Sequence, residues 1–327
     1  MKTTIKKTST KKGALHPRNL HIGQYDFSAL MIACPELTPY VIKNPKGELT
    51  INFSDPQSVL LLNKALLSCF YDIHFWQIPA GYLCPPIPGR VDYIHYIADL
   101  LSECFSGQAP TGKQIKGLDI GCGANCIYPL LASRSYGWSL VGTDIDEYAV
   151  KTAKLLVKAN TNISKNITIR QQKNTNHILT GMLKKNERFA FSMCNPPFHA
   201  SMTKATEGSL LKQAHLNKNK MRSAKQIKAP LNFSGLPHEL SCEGGEIAFV
   251  KKMVSESLSV KNQVCWFTCL LSKNDNVGPI KKYLQQQNVE QIRIVDMSQG
   301  HKISRFIAWS YLDIEQQKTF FNRSLKM

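Results

Sequence analysis

Acidic side chains are scarce in this chain. Its 327 residues hold 23 Asp and Glu against 41 Lys and Arg, a formal net charge of +18 with the histidines neutral. A deficit this large excludes a surface built to attract basic partners and points to a polyanion, nucleic acid foremost. Metal-site spacing is missing as well. Among ten cysteines there is no C-x-x-C, and the pairs Cys122/Cys126 and Cys265/Cys269 have no histidine at ligand spacing. That excludes the common zinc and dithiol motifs, and no metal is expected. Cys69, Cys194, Cys265 and Cys269 sit in apolar runs, as small buried hydrophobes do. Reduced thiols in a cytoplasmic protein are therefore expected. No apolar run reaches the roughly eighteen residues a membrane helix needs. The basic N-terminus is followed by no apolar h-region, so no secretory signal is expected. Internal repeats are lacking too.

What is there falls into three parts. Residues 1–13, "MKTTIKKTSTKKG", carry five lysines and no acid, which reads as a disordered basic tail. Residues 14–105 read as a mainly helical extension, expected to bind RNA. In it "SVLLLNKALLSCFY" (58–71) and "VDYIHYIADLLSECF" (91–105) have helical periodicity. "GELTINF" (47–53) alternates like a short strand, and "CPPIPGR" (84–90) is a stiff turn. From 106 to 327 the texture becomes strand, loop, helix, repeated. Seven short apolar strands are expected: "IKGLDIG", "WSLVGTDI", "NITIRQQ", "RFAFSMC", "QVCWFTCLL", "QIRIVDM" and "RFIAWSYL". A polar helix is expected after the third. Strands alternating with helices predict an α/β, Rossmann-like fold with a mostly parallel sheet covered on both faces. The segment 199–241 interrupts the rhythm.

Two local patterns carry chemistry. The first strand closes on Asp119, Gly121, Cys122 and Gly123. Glycines there allow positive φ and close approach of a ligand to the backbone. Asp144 follows at the tip of the next strand, where a doubly wound fold binds a ribose diol. A dinucleotide fingerprint would need glycine at 126, and Cys126 stands there. That weighs against NAD or FAD and favours a nucleoside without a pyrophosphate, such as S-adenosylmethionine. Asp146 reads as the N-cap of a helix at 147–160.

The second pattern is Asn195-Pro196-Pro197-Phe198 at the end of the fourth strand. Proline fixes φ and holds the turn rigid. A side-chain carbonyl (Asn195) and a backbone carbonyl (Pro196) together accept both N–H groups of a planar amine. Phe198 offers a stacking face to a flat base that has left its own stack. Catalysis is then mainly orientation and electrostatics.

"LDIGCGANCIYPLL", "CNPPF" and "CEGGE", together with "HPRN", "IPAGYLCPPIPGR", "DYIHYIADLL" and "SRFIAWS", resemble the bacterial 23S ribosomal RNA adenine-N6 methyltransferases. They also resemble the eukaryotic relative that methylates adenine in U6 small nuclear and messenger RNA. The likeness spans nearly the whole chain. It implies a class I, S-adenosylmethionine-dependent methyltransferase acting on an adenine of 23S ribosomal RNA, free or in a large-subunit assembly particle, as a cytoplasmic monomer. It implies donor contacts from Arg90, Gly121, Asp144 and Asn195, with Asp119 and Gly123 beside them. A polar residue after the third strand, Asn174 or Thr175, is expected at the donor's adenine. The segment 199–241, with Lys218, Lys220, Arg222, Lys225 and Lys228, is expected to clamp RNA. The competing readings are a protein-glutamine methyltransferase acting on release factors, a DNA adenine methyltransferase and a catalytically silent RNA-binding module. The first uses an Asn-Pro-Pro-Tyr turn, so Phe198 and the basic charge oppose it.

Overall fold

The protein is described here from a computed structural model that covers residues 3–8, 13–198, 235, 237–299 and 302–324. The chain opens with β1 (Thr4–Thr8), then α1 (Phe27–Ala33), a small hairpin of β2 (Val41–Lys43) and β3 (Leu49–Ile51), α2 (Pro56–Tyr71) and α3 (Ile87–Ser102). The alternating half follows: β4 (Lys116–Ile120), α4 (Ile127–Tyr136), β5 (Ser139–Asp144), α5 (Glu147–Ala159), β6 (Ile167–Gln171) and β7 (Phe189–Cys194). It ends with α6 (Pro237–Leu240), α7 (Gly245–Ser257), β8 (Val264–Leu271), α8 (Val277–Gln286), β9 (Gln291–Gln299), β10 (Lys302–Ser310) and α9 (Ile314–Ser324).

The seven expected strands are present, joined by an eighth, in the order β1-β9-β10-β8-β7-β4-β5-β6. Neighbours run parallel from β8 through β6, and β10 runs antiparallel to both β8 and β9. β4 has β7 on one side and β5 on the other, so the chain reverses its winding direction there. Ligands bind at such a switch point, beyond the carboxyl ends of the strands. No helix among the described residues is long and apolar enough to cross a membrane.

The residues of β8 show why the sheet is covered twice. Trp266 and Leu270 join the core under α2 to α5, and Tyr93 of α3 hydrogen-bonds Thr268 between them at 2.6 Å. Phe267, Cys269 and Leu271 join the opposite core with Val250, Met253 and Val254 of α7 and Ile280 and Leu284 of α8. Alternation of side chains along a strand feeds both layers.

Three expectations change. The basic tail is not disordered throughout: Thr4–Thr8 form β1, paired parallel with β9 from Thr4↔Gln291 to Thr8↔Val295. Two of its lysines meet acids, Lys7–Asp296 at 3.2 Å and Lys6–Glu103 at 3.9 Å. Lysine count suggested a solvated tail, but Thr and Ile suit a strand, and β9 would otherwise leave an open edge. The polar helix expected after β6 is absent: residues 172–188 run as turns. Asn and Thr in "KNTNHILTG" favour local side-chain bonds over a helix, and Gly181 ends the stretch at positive φ. A terminal helix, α9, was not expected.

The stretch 14–105 has no core of its own. Leu30, Leu37, Leu66 and Trp76 share one cluster with Tyr128, Leu130, Leu131 and Phe191 of the sheet region. The "HPRN" stretch ties it to α3: His16 N–H donates to Asp92 at 3.1 Å, Arg18 to Asp99 at 2.7 Å, and Asn19 Nδ2 to the Pro88 carbonyl at 2.9 Å. The bonds to Pro88 and Asp92 fix the first turns of α3, where Arg90 sits, and the bond to Asp99 holds its last turn. Burial in this layer lowers the His95 imidazole to about 3 and that of His21 to about 4.

Candidate active site

Past Ile120 the chain must turn sharply from β4 into α4. Gly121 and Gly123 do this with φ of +73° and +62°. A Cβ at Gly121 would meet nothing within 4 Å, so the loop backbone faces open space. The N–H groups of Gly121 and Cys122 donate to the Thr143 carbonyl at 2.8 and 2.9 Å, which sets the loop against the tip of β5. Cys126 stands where a dinucleotide site would carry its third glycine, and it too is left-handed, φ +50°. Asn125, one residue before the N-cap Cys126, has its side-chain oxygen accepting from Ile127 N–H at 3.1 Å.

Asp144 ends β5. One carboxylate oxygen accepts from Gly123 N–H at 2.8 Å and the other from Asp146 N–H at 2.9 Å. The glycine loop and the acid are thus one unit. Asp146 caps α5 as expected, accepting from Tyr148 N–H at 2.9 Å, and also takes the Tyr82 hydroxyl at 2.5 Å. Arg90 reaches in from α3. Its guanidinium donates to the Tyr128 hydroxyl at 2.7 Å and lies 5.5 Å from that ring's centre. Its Nε is buried with no partner among the described residues. Asp119 is fully buried, and neither of its oxygens has a hydrogen-bond partner among the described residues. Burial and then the charge of Asp144 raise its carboxyl well above the ordinary range, with Arg90 opposing.

β7 delivers Asn195 to the same edge. Its side-chain oxygen is buried and accepts no hydrogen bond among the described residues. A carbonyl kept dry without a donor is costly, which marks a place where a ligand N–H completes the site. Pro196 is buried behind it, and Pro197 and Phe198 are half-buried.

All this surrounds one cavity of about 660 Å³. Arg90, Gly121, Gly123, Asp144, Thr175, Asn195 and Pro197 line it, as the sequence led one to expect. Asp119 does not; it lies under the loop. Asn174 does not either: its side-chain oxygen accepts from Asn176 N–H at 2.9 Å, building the turn that presents Thr175. Pro196 and Phe198 are also outside the lining. Lys218, Lys220, Arg222, Lys225 and Lys228 lie outside the described residues.

Several lining residues were not anticipated. Tyr128 drew no reading from the sequence, and its distinguishing feature is the bond it accepts from Arg90. Leu83 lies in "IPAGYLCPPIPGR", noted for its resemblance without a role for this residue; its N–H donates to Glu239 at 3.1 Å, and its carbonyl takes Asn125 Nδ2 at 3.2 Å. The lining comes from two groups of elements: the glycine loop, Asp144, Ile145, Gln172 and residues 175–178 on the one hand, and Asn195, Pro197, Glu243, Gly244, Phe249 and Lys252 on the other. The "EGGE" turn supplies part of the second group. Gly244 has φ +72°, and a Cβ there would come within 2.5 Å of Ala248 Cβ. Glu246 then anchors α7 by accepting from Ser272 N–H and Asn276 Nδ2.

A nucleoside cradle sharing a cavity with an unpaired carbonyl on a rigid proline turn, at the switch point of this sheet, defines a class I amine methyltransferase. Residues 9–313 match the family model of an RNA methyltransferase. The chain is 54% identical over 301 residues to the ribosomal RNA large subunit methyltransferase F of Psychromonas ingrahamii, covering 92% of this chain and 96% of that one. It is 47% identical over 322 residues to the protein of the same name from Photobacterium profundum, covering 95% of each. Among solved structures, the human METTL16 catalytic domain in complex with a MAT2A 3′UTR hairpin superposes with a TM-score of 0.75 at 31% identity, over 91% of this chain and 96% of that one. The N-terminal domain of human METTL16 in complex with SAH gives 0.70 at 28% identity, over 94% and 100%. The chain belongs to the ribosomal RNA large subunit methyltransferase F family of RNA methyltransferases.

Proposed function

We propose that the protein transfers a methyl group from S-adenosylmethionine to the exocyclic N6 amine of one adenine in 23S ribosomal RNA. The observation that carries this is the unpartnered Asn195 oxygen in the same cavity as the Gly123–Asp144 pair. The bacterial relatives are named for large-subunit ribosomal RNA, and a related human domain holds SAH. When bound, S-adenosylmethionine supplies an electrophilic methyl group.

The chain's own residues bind and orient. Asp144, held by two backbone N–H groups at the tip of β5, is placed to accept from a ribose diol. Arg90, whose Nε has no partner among the described residues, suits the donor's carboxylate. Thr175 stands beside the donor's base. Asn195 and the Pro196 carbonyl accept the two N–H bonds of the adenine amine, and Phe198 stacks on the base. The nitrogen lone pair is thereby aimed at the methyl carbon; the S–C bond breaks as the N–C bond forms, and the proton leaves to solvent. No general base is needed before transfer, because the amine becomes acidic only as it acquires positive charge. The natural substrate is 23S ribosomal RNA or an assembly particle that contains it.

The test is incubation with labelled donor and 23S ribosomal RNA lacking the modification, followed by nucleoside analysis. N6-methyladenosine is expected; label in release factor or DNA instead overturns the assignment. Asp144→Ala should cost about 1.5–3 kcal/mol in charge-assisted hydrogen bonds. Calorimetry with S-adenosylhomocysteine should then show about ten- to hundredfold weaker binding. Unchanged affinity would move the ribose contact elsewhere.

Lys218, Lys220, Arg222, Lys225 and Lys228 serve this reaction by contacting RNA phosphates. Replacing Lys218, Lys220 and Arg222 with alanine should flatten the slope of log affinity against log salt by about two to three units. Target and non-target RNA should weaken alike, since point charges do not read base edges. An unchanged slope across a salt titration would remove these residues from the RNA contact.

A further inference from the structure

Residues 172–178, of which Gln172 and residues 175–178 line the cavity, belong to an irregular segment with no strand or helix to hold its shape. The backbone there turns through Asn174 and His177, whose N–H donates to the Asn174 carbonyl at 3.0 Å. On the near side Gln172 ties the segment to the sheet, its N–H donating to the Asp144 carbonyl at 2.8 Å. Its side chain spans the turn, Nε2 donating to the Thr180 carbonyl at 2.9 Å and Oε1 accepting from Asn174 N–H at 3.1 Å. The far side is anchored by the burial of Ile178 and Leu179 in the core beside Val250, Met253 and Val254, and its backbone N–H groups by a carboxylate from another element. Glu256, near the end of α7, accepts from the consecutive N–H groups of Ile178, Leu179 and Thr180 at 2.9, 2.8 and 3.0 Å, all on one oxygen. The other oxygen lies 3.7 Å from His177 Nδ1, and the side chain is only 12% exposed.

Three successive N–H groups converging on one oxygen form an anion-binding concavity, and a charge inside it is held more firmly than a neutral acceptor would be. His177 and Ile178, at the lip of this concavity, line the cavity. The same helix carries Phe249 and Lys252, which also line the cavity, and Glu256 follows them at i+7 and i+4 on one helical face. One helix therefore supplies lining residues of its own and holds the segment that carries His177 and Ile178.

We propose that Glu256 is a positioning residue for the methyl donor: by anchoring residues 178–180 to α7 it holds the wall of His177 and Ile178 against the donor's base. This rests on the functional reading above, which puts the donor's base beside Thr175. Glu256 touches neither substrate; its effect passes through the backbone it holds.

The test compares Glu256→Gln and Glu256→Ala with wild type, using full-length protein and S-adenosylhomocysteine as the calorimetric probe. The near-isosteric Gln keeps the packing and one acceptor but loses the charge. Donor-product affinity should weaken about three- to tenfold for Gln and about ten- to thirtyfold for Ala. KM for S-adenosylmethionine should rise in step. At saturating donor, kcat should stay within about threefold of wild type, and affinity for RNA should be unchanged. Binding within about twofold of wild type in both variants overturns the proposal. So does a loss of RNA affinity and kcat in step with donor affinity, because that is the mark of a damaged fold. Asp144→Ala separates the two readings: if it also leaves binding intact, the donor site itself is misassigned, whereas weak binding in Asp144→Ala with normal binding in both Glu256 variants sinks only the role of Glu256.

Discussion

Asn195→Ala is expected to lower the turnover of methyl transfer by about a thousandfold, about 4 kcal/mol of transition-state stabilisation. Affinity for S-adenosylhomocysteine should remain within about threefold of wild type. The reason lies in what the amide faces. Its oxygen is buried and has no partner among the described residues, which leaves it placed to accept from a ligand N–H. An exocyclic amine is planar and a poor nucleophile because its lone pair is delocalised into the ring. Two acceptors on its N–H bonds hold it in place, and they bind more strongly as positive charge builds on nitrogen. An interaction that strengthens only in the transition state appears in kcat. Removal of one such preorganised partner costs about 10²–10³ in turnover in well-studied cases. Here the same group also sets the orientation of the acceptor, which adds to the loss. The donor's contacts with Asp144 and Arg90 are untouched by the substitution. Transfer retained within about tenfold of wild type in single-turnover assays would leave the Pro196 carbonyl sufficient alone and sink the role of Asn195.

Why the site residues were legible to different degrees follows from their distance along the chain. Gly121, Gly123 and Asp144 are readable because a loop and the tip of the next strand meet by local rules of the fold. Asn195 is readable because a strand seldom ends in two prolines and an aromatic ring. Arg90 carries no such signal; only a resemblance pointed to it, and its place depends on Tyr128 and on the anchoring of α3 by "HPRN". Asn174 and Thr175 are neighbours of similar polarity, and only the turn geometry sends one into the cavity and the other into the backbone. Glu256 was invisible, since an acid in an amphipathic helix gives no hint that three N–H groups from a segment 76–78 residues away converge on it. The same limit applies to β1. Its lysines suggested solvent, whereas its partner is an open sheet edge whose existence depends on the whole topology.

Gly117→Val should be the most damaging single substitution for the fold, lowering the melting temperature by about 10 °C or more, or leaving no soluble protein. Gly117 is the second residue of β4 and pairs with Leu140 of β5 and Phe191 of β7. A Cβ added there would lie 2.4 Å from Phe191 Cζ and 2.7 Å from Leu140 Cδ1. Neither neighbour can yield. Phe191 is fully buried and packs on Trp138, with ring centres 5.0 Å apart, and Trp138 in turn stacks on Tyr136 at 4.7 Å. The backbone cannot shift either, because β4 is hydrogen-bonded on both edges. Overpacking a dense core costs about 1–3 kcal/mol where side chains can adjust, and more where they cannot. Against a total stability of about 5–15 kcal/mol, that removes a large share. Gly117 does not have positive φ, so steric volume alone is at issue, and Gly117→Ala should be milder because it adds one carbon instead of three. Differential scanning fluorimetry of both variants orders them. A Val variant melting within about 2 °C of wild type would mean that β4 can separate from Phe191 and Leu140 without cost.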